Sequence, residues 1–326
     1  MSLFREIDLT RPELQKMLTE PNFFAKLHPY LSTLLSGNPV GALDEGLAFL
    51  ASIKQIDDEA YERQHKGNPF YWLGIAAFLS HDYQTAVFLF DAAVSEDLRS
   101  GADASKSETP ALKFIYLKGY TRQHAAQPIV KAIQSRLIQE LDGYNKRPAH
   151  LPTHSNLTLD HIRKRFIGHV LKGQNKHLRT LATTLISFIL EWSHRTKLAQ
   201  VGIAVGSAEP FFIHLFKGCL LFESLLKENP KKQPQGKANL NKALNALRSE
   251  LGITGKINIG GANFESVLST AAPNEPVAAA MIRTGKIRNT LGHNLGWPTS
   301  LNRRQYDLLA ADIGASCFHA INSLYR

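Results

Sequence analysis

The 326 residues of this chain exceed what one hydrophobic core usually organises, and 44% hydrophobic content marks them as globular rather than disordered, so two domains are expected. Thirty-eight Lys and Arg against 28 Asp and Glu give a formal charge of +10, which favours polyanionic partners such as nucleic acid. Two cysteines, Cys219 and Cys317, sit in apolar helical patterns, which excludes a disulfide framework and a zinc-type ligand set and suits a reducing, cytosolic compartment.

Met1 to Glu20 is interrupted by Arg5, Glu6, Asp8, Arg11 and Glu13, so no signal-peptide core is expected there. Nearly every long segment has helical rather than alternating periodicity, and the fold class is all-α. Between Asn68 and Leu98 two helices are expected, one beginning at Trp72-Leu73-Gly74 and the next lined by Ala86, Phe90 and Ala93, joined by a turn at His81-Asp82-Tyr83. Small residues at Gly74, Ala86 and Ala93 let the pair approach closely, with Tyr83 and Phe90 filling the gap. This hairpin resembles a tetratricopeptide-type unit. Such a unit must stack on neighbours, for which Gly41–Asp57 and Ala111–Leu141 are the candidates. The resemblance implies a short α-solenoid over residues 1–150, a sensor or recruitment module open to a protein partner.

The stretch from Gly143 to Asn156 is rich in breakers and poor in periodic apolar residues, and marks a border after residue 150. From 151 to 326 a helical bundle is expected. Its helices are Leu178–Leu198, Phe211–Glu228 stopped by Asn229-Pro230, a shorter one from about Ala238 to Leu251, one striped by Val277, Met281, Ile287, Leu291 and Leu295, and a last one striped by Tyr306, Leu309, Ile313, Cys317, Ala320 and Leu324. Lys256-Ile257-Asn258-Ile259, confined by glycines, reads as a loop or small hairpin. The apolar stretches are too short or too interrupted by charge to cross a membrane.

The chemistry concentrates in Arg288-Asn289-Thr290-Leu291-Gly292-His293. An arginine stabilises a pentacoordinate phosphorane by charge-assisted hydrogen bonds, and a histidine moves a proton near neutral pH, neither requiring a metal or other cofactor. On a straight helix Arg288 and His293 lie about 140° apart. Either the helix distorts near Gly292, or a second copy completes the site. An all-α bundle with an Arg-Asn-x-x-x-His element on its penultimate long helix resembles a HEPN-domain ribonuclease over roughly residues 175–326. The resemblance implies Arg288, Asn289 and His293 as catalytic residues, a homodimer with a composite cleft, and metal-independent cleavage of single-stranded RNA to a 2′,3′-cyclic phosphate and a 5′-hydroxyl. It also implies kinship with RNA-cleaving toxins and anti-phage effectors.

No acid occurs from His161 to Leu190, where Arg163, Lys164 and Arg165 gather with Lys172, Lys176 and Arg179, or from Pro276 to Tyr306, which holds Arg283, Lys286, Arg303 and Arg304. These stretches read either as two walls of an RNA track or as solvated faces balanced by acids elsewhere, with RNA contact favoured for the second. Glu223 reads as a bundle-interior carboxylate near the site or as an exposed helix residue, the latter favoured. Ile282–Ile287 lacks the glycine and the Ser or Thr of a phosphate loop, and the histidines lack metal-site spacing.

Overall fold

The computed structural model describes residues 11–27, 37–148, 156–172, 176–203, 206–232, 239–261, 263–273, 275–292 and 301–325. Every regular element among them is helical, and none of their helices is long and apolar enough to cross a membrane. The 256–259 run is a loop whose Ile257 and Ile259 are buried.

Contacts cluster into two compact units, Met1–Val130 and Lys131–Arg326. The first contains α1 (Arg11–Leu18), a short 3₁₀ turn, α2 (Pro39–Ile56), α3 (Asp58–Arg63), α4 (Gly67–Leu79), α5 (Tyr83–Arg99) and α6 (Pro110–Ile115). The side chains of Asn38, Asp57, Asp82 and Thr109 each accept a hydrogen bond from a first-turn backbone N–H, which fixes where α2, α3, α5 and α6 begin. The expected hairpin is α4 and α5. At its turn His81 adopts φ +62°, and Asp82 then caps α5. Gly74 allows the helices to close, because a Cβ there would stand 3.0 Å from the Phe90 ring. Phe90 in turn stacks on Phe114 of α6, with ring centroids 3.7 Å apart. Gly46 of α2 receives Leu73 of α4 in the same way. The Ala111–Leu141 neighbour is two helices, α6 and α7 (Ala126–Asn145), separated by a loop in which Leu117 has φ +51°.

The division between units falls within α7, earlier than the border expected from the breakers. α7 continues through Asp142–Asn145, and beyond Val130 it belongs to the second unit, where Tyr144 donates its hydroxyl proton to His319 Nδ1 at 3.0 Å. The breakers disrupt helical periodicity, but the chain has already joined the second core before reaching them. Residues 149–155 lie outside the described residues.

The second unit continues with α8 (Leu159–His161), a π-helical turn over Ile162–Ile167, α9 (Gly168–Lys172), α10 (Lys176–Gly202), α11 (Glu209–Lys227), α12 (Leu240–Ala246), α13 (Phe264–Ser269), α14 (Val277–Leu291) and α15 (Arg303–Leu324). The stripe read on α15, from Tyr306 to Leu324, is buried throughout. α11 packs on α10, α14 and α15 at once. Gly218 makes this possible, since a Cβ at that position would lie 2.5 Å from Phe188 of α10 and 2.6 Å from Ile313 of α15.

Two buried histidines of this core are each held at both ring nitrogens. His214, fully buried on α11, stacks on the Phe188 ring with centroids 4.5 Å apart. Its Nε2–H donates to the Phe188 carbonyl at 2.9 Å, and the Tyr306 hydroxyl donates to Nδ1 at 2.9 Å. A carbonyl can only accept, so the pairing fixes the neutral tautomer with the proton on Nε2. His319 repeats the pattern between Leu251 O and the Tyr144 hydroxyl.

Burial without a counter-ion in contact holds the His214 pKa down at about 4, although Glu191 partly opposes the shift. Unfolded, the same imidazole titrates near about 6.5. The folded state therefore refuses a proton that the unfolded state accepts. This contribution is absent above the unfolded pKa and destabilises progressively as pH falls from about 6.5 to about 4, by on the order of 3 kcal/mol in all. Urea unfolding of the intact protein should show this slope, and His214→Gln should be less stable at neutral pH yet lose most of it. A variant retaining the parental slope across that window would refute the assignment.

Candidate functional site

α14 carries the motif and is held by its neighbours at several points along its length. Met281, Ile287 and Leu291 are buried, as the stripe requires. The Thr284 and Ser316 hydroxyls meet at 2.9 Å, and a Cβ on Gly285 would stand 2.8 Å from Ile259, so the 253–261 loop lies directly on the helix. The helix ends at Leu291. Gly292 is its C-cap, donating its N–H to Arg288 O at 3.1 Å, and sits beside Phe216 of α11. His293 lies outside the described residues.

Arg288 is oriented by a carboxylate. Its Nε–H donates to Glu223 Oε2 at 2.7 Å, while Lys227 Nζ holds the other oxygen, Oε1, at 2.6 Å. The Glu223 side chain is 7% exposed and that of Arg288 33% exposed. Glu223 is thus a bundle-interior carboxylate, and the exposed reading is corrected. The apolar face of α11 is wide enough to carry position 223 inward with Phe222 and Leu226, and the cations from α14 and the next turn of α11 compensate its charge. A guanidinium has five N–H donors in a planar fork. Engaging it through Nε leaves donors with which Arg288 can grip an anionic oxygen.

No family model, curated protein or solved structure matches the chain. The chemistry of the site rests on its own geometry. Asn289 donates its amide N–H to Ile259 O at 3.2 Å and so fastens the 253–261 loop. Among the described residues, no three His, Cys, Asp or Glu side chains are grouped to hold a metal ion.

Arg283, expected to contact RNA, is instead a structural cation. It is buried, ion-paired with Asp312 of α15 and with Glu275, and donates to Thr270 O at 2.5 Å. The other oxygen of Asp312 lies 2.7 Å from Arg147. Its charge is matched inside the unit, so it is not available to a phosphate. The acids that match it stand just before the acid-free stretch and just after it. Lys286 is half-buried, whereas Arg303 and Arg304 are exposed in the first turn of α15, Arg303 lying 3.5 Å from Asp307.

In the other stretch the π-helical turn leaves Lys164 exposed, 2.9 Å from Asp160, with Arg163 and Arg165 half-buried. Desolvation lowers the Arg163 pKa. Phe166 of this turn packs edge-on against Tyr325, just beyond the C-terminal end of α15, whereas Arg303 and Arg304 occupy its N-terminal turn. By helical rise those positions are about 30 Å apart. Arg303 and Arg304 therefore do not face the π-helical turn across one cleft.

Reading from the sequence weighs Glu223 as a carboxylate near the site but favours the exposed alternative, and it does not name Lys227. The Glu223/Lys227 spacing of four was the available signal, but most such pairs are solvated. Asp312 and Glu223 differ in what their loss should do. Asp312→Ala leaves Arg147 and Arg283 buried with one carboxylate fewer, and should destabilise by about 3–5 kcal/mol. Arg288→Ala removes a partly exposed cation while Lys227 stays on Glu223, and should cost about 1 kcal/mol. Urea midpoints compare them directly. Equal losses would show that Arg288 is held as a structural ion.

Proposed function

We propose that this protein is a metal-independent endoribonuclease that cleaves single-stranded RNA, with Arg288 and His293 as its working pair and a homodimer as its active form. The observation that carries this reading is the state of Arg288. It is a partly exposed guanidinium, fixed through Nε by a buried carboxylate, at the end of the helix that leads into His293.

In this mechanism Arg288 donates to the non-bridging oxygens of the scissile phosphate as the phosphorane forms. Oriented by Glu223, it stabilises that charge together with the further cations that converge on the site, by on the order of 3 kcal/mol in all. His293 takes the proton of the attacking 2′-hydroxyl or delivers one to the departing 5′-oxygen. The 2′-oxygen forms its bond to phosphorus as the bond to the 5′-oxygen breaks, giving a 2′,3′-cyclic phosphate and a 5′-hydroxyl. Two His293 side chains from two subunits would divide the acid and base roles. Asn289 acts indirectly, by holding the loop against α14. The bundle is read as HEPN-like and the α4–α5 hairpin as tetratricopeptide-like, a recruitment module beside a cytoplasmic toxin or anti-phage effector. Lys286, Arg303, Arg304, Arg163, Lys164 and Arg165 are candidates for backbone contact, with Arg303 and Arg304 at the opposite end of the last helix from the three basic residues of the π-helical turn.

A second reading, a non-catalytic adaptor whose bundle dimerises and binds RNA passively, is favoured by two observations. The Asn289 amide is engaged within the fold, and Phe88 on the α5 hairpin is 68% exposed, as a protein-docking residue would be. The two readings separate on incubation of the intact protein with single-stranded RNA in EDTA. The enzyme should yield cyclic-phosphate ends, and Arg288→Ala and His293→Ala should each lower the rate by about 100-fold or more. Intact RNA in the parent incubation, or cleavage that both substitutions leave unchanged, would overturn the enzymatic reading.

A further inference from the structure

We infer that Lys227 is a second phosphate-contacting cation, coupled to Arg288 through Glu223, so that the three side chains form one cradle for a phosphodiester of single-stranded RNA. The inference rests on the RNA reading above, but not on cleavage.

A Glu and a Lys four residues apart on a helix surface form an ordinary pair worth a few tenths of a kcal/mol. This pair differs in two respects. Glu223 is buried, and its second oxygen is taken by an arginine from another helix. The carboxylate thus holds two cations side by side, one on each oxygen, where their mutual repulsion would otherwise drive them apart. Lys227 is 37% exposed and Arg288 33%, so each keeps an outward face. Cys219, the thiol in the field of both Arg288 and Glu223, is fully buried and kept protonated by that burial, and adds no charge. The three charged groups sum to one net positive charge. That is the complement of a phosphodiester, whose two non-bridging oxygens can take one donor from each cation.

Placement along the bundle fits a strand continuing past Arg288. Lys227 closes α11 at its C-terminal end. Nearby, the Tyr325 hydroxyl donates to Leu225 O at 3.1 Å, and Tyr325 in turn carries Phe166 of the π-helical turn that bears Arg163, Lys164 and Arg165. The basic turn is thereby brought to the same end of the bundle as Lys227.

The three side chains should respond differently to substitution. Removing Lys227 leaves Arg288 and Glu223 at zero net charge. Removing the charge of Glu223 leaves two cations, so backbone affinity should rise while Arg288 loses its fixed orientation. The test is titration of the full-length protein with a fluorescent 2′-O-methyl oligoribonucleotide of about 12 nucleotides, which lacks the attacking hydroxyl, between about 50 and 200 mM salt. Lys227→Met should weaken binding by about tenfold at the low-salt end and flatten the salt slope by about 0.7. Lys227→Arg should restore both, and Glu223→Gln should bind as tightly as the parent or tighter. Thermal melts identify any variant that has lost its fold, and Lys227→Arg then decides.

Unchanged affinity and slope in Lys227→Met would overturn the inference, as would failure of the parent to bind the oligonucleotide. Weakened binding in Glu223→Gln together with Lys227→Met would also overturn it, because the carboxylate would then serve the fold alone. Cleavage is not read. Expected binding changes in a protein that cuts no RNA would uphold the cradle and sink the enzymatic reading.

Discussion

Close contact at Gly218 is the constraint on which the second unit is built. α11 lies against α10 on one side and α15 on another, and at the crossing both Phe188 and Ile313 occupy the space a side chain would need. Packing of this density propagates, because protein interiors deform in discrete steps rather than continuously. With position 218 pinned, the residues before it on α11 set His214 against Phe188 and Tyr306, and those after it bring Glu223 to Arg288. One missing Cβ thus fixes both the neutral buried imidazole and the carboxylate that orients the motif arginine.

Arg283 and Arg288, on the same helix, show how burial separates structural charge from available charge. Arg283 has carboxylates on two sides and almost no exposure, and its acid Asp312 is shared with Arg147, so three charged side chains lock α14, α15 and the segment following α7 together. Such a cluster is costly to break from either side, because desolvated ions have no solvent to return to. Arg288 has one carboxylate, and that carboxylate already has another cation. It is positioned without being enclosed.

The legible part of the fold was the part written as periodicity. Tyr306, Leu309, Ile313, Cys317, Ala320 and Leu324 were read as one stripe and are one stripe, and the small residues Gly74, Ala86 and Ala93 marked a hairpin that does close on Phe90. Pairing between distant positions was not legible. Arg283 stood in a stretch free of acids and read as exposed, yet Asp312 lies 29 residues on. Glu223 meets Arg288 across 65 residues, and nothing local on α11 distinguishes it from a solvated glutamate. The π-helical turn has no sequence signature of its own. Breakers after Gly143 suggested a border because they end a helix, but contacts decide a border, and Tyr144 already belongs to the core that follows.

The motif's position at the end of α14 carries an electrostatic consequence. The unsatisfied carbonyls of a helix C-terminus amount to a partial negative charge, which stabilises a cation in the last turn and repels an anion approaching it. Arg288 stands in that last turn and also on Glu223, so its positive charge is favoured twice over and its field toward a phosphate is correspondingly reduced. A single arginine so placed would be a weak anion site. For this end of the helix to hold a polyanion, further positive charge must converge on it, from Lys227 on the same carboxylate or from a second copy of the helix facing the first. Either arrangement makes the site a property of several groups acting together, and in either the buried carboxylate sets where the guanidinium points.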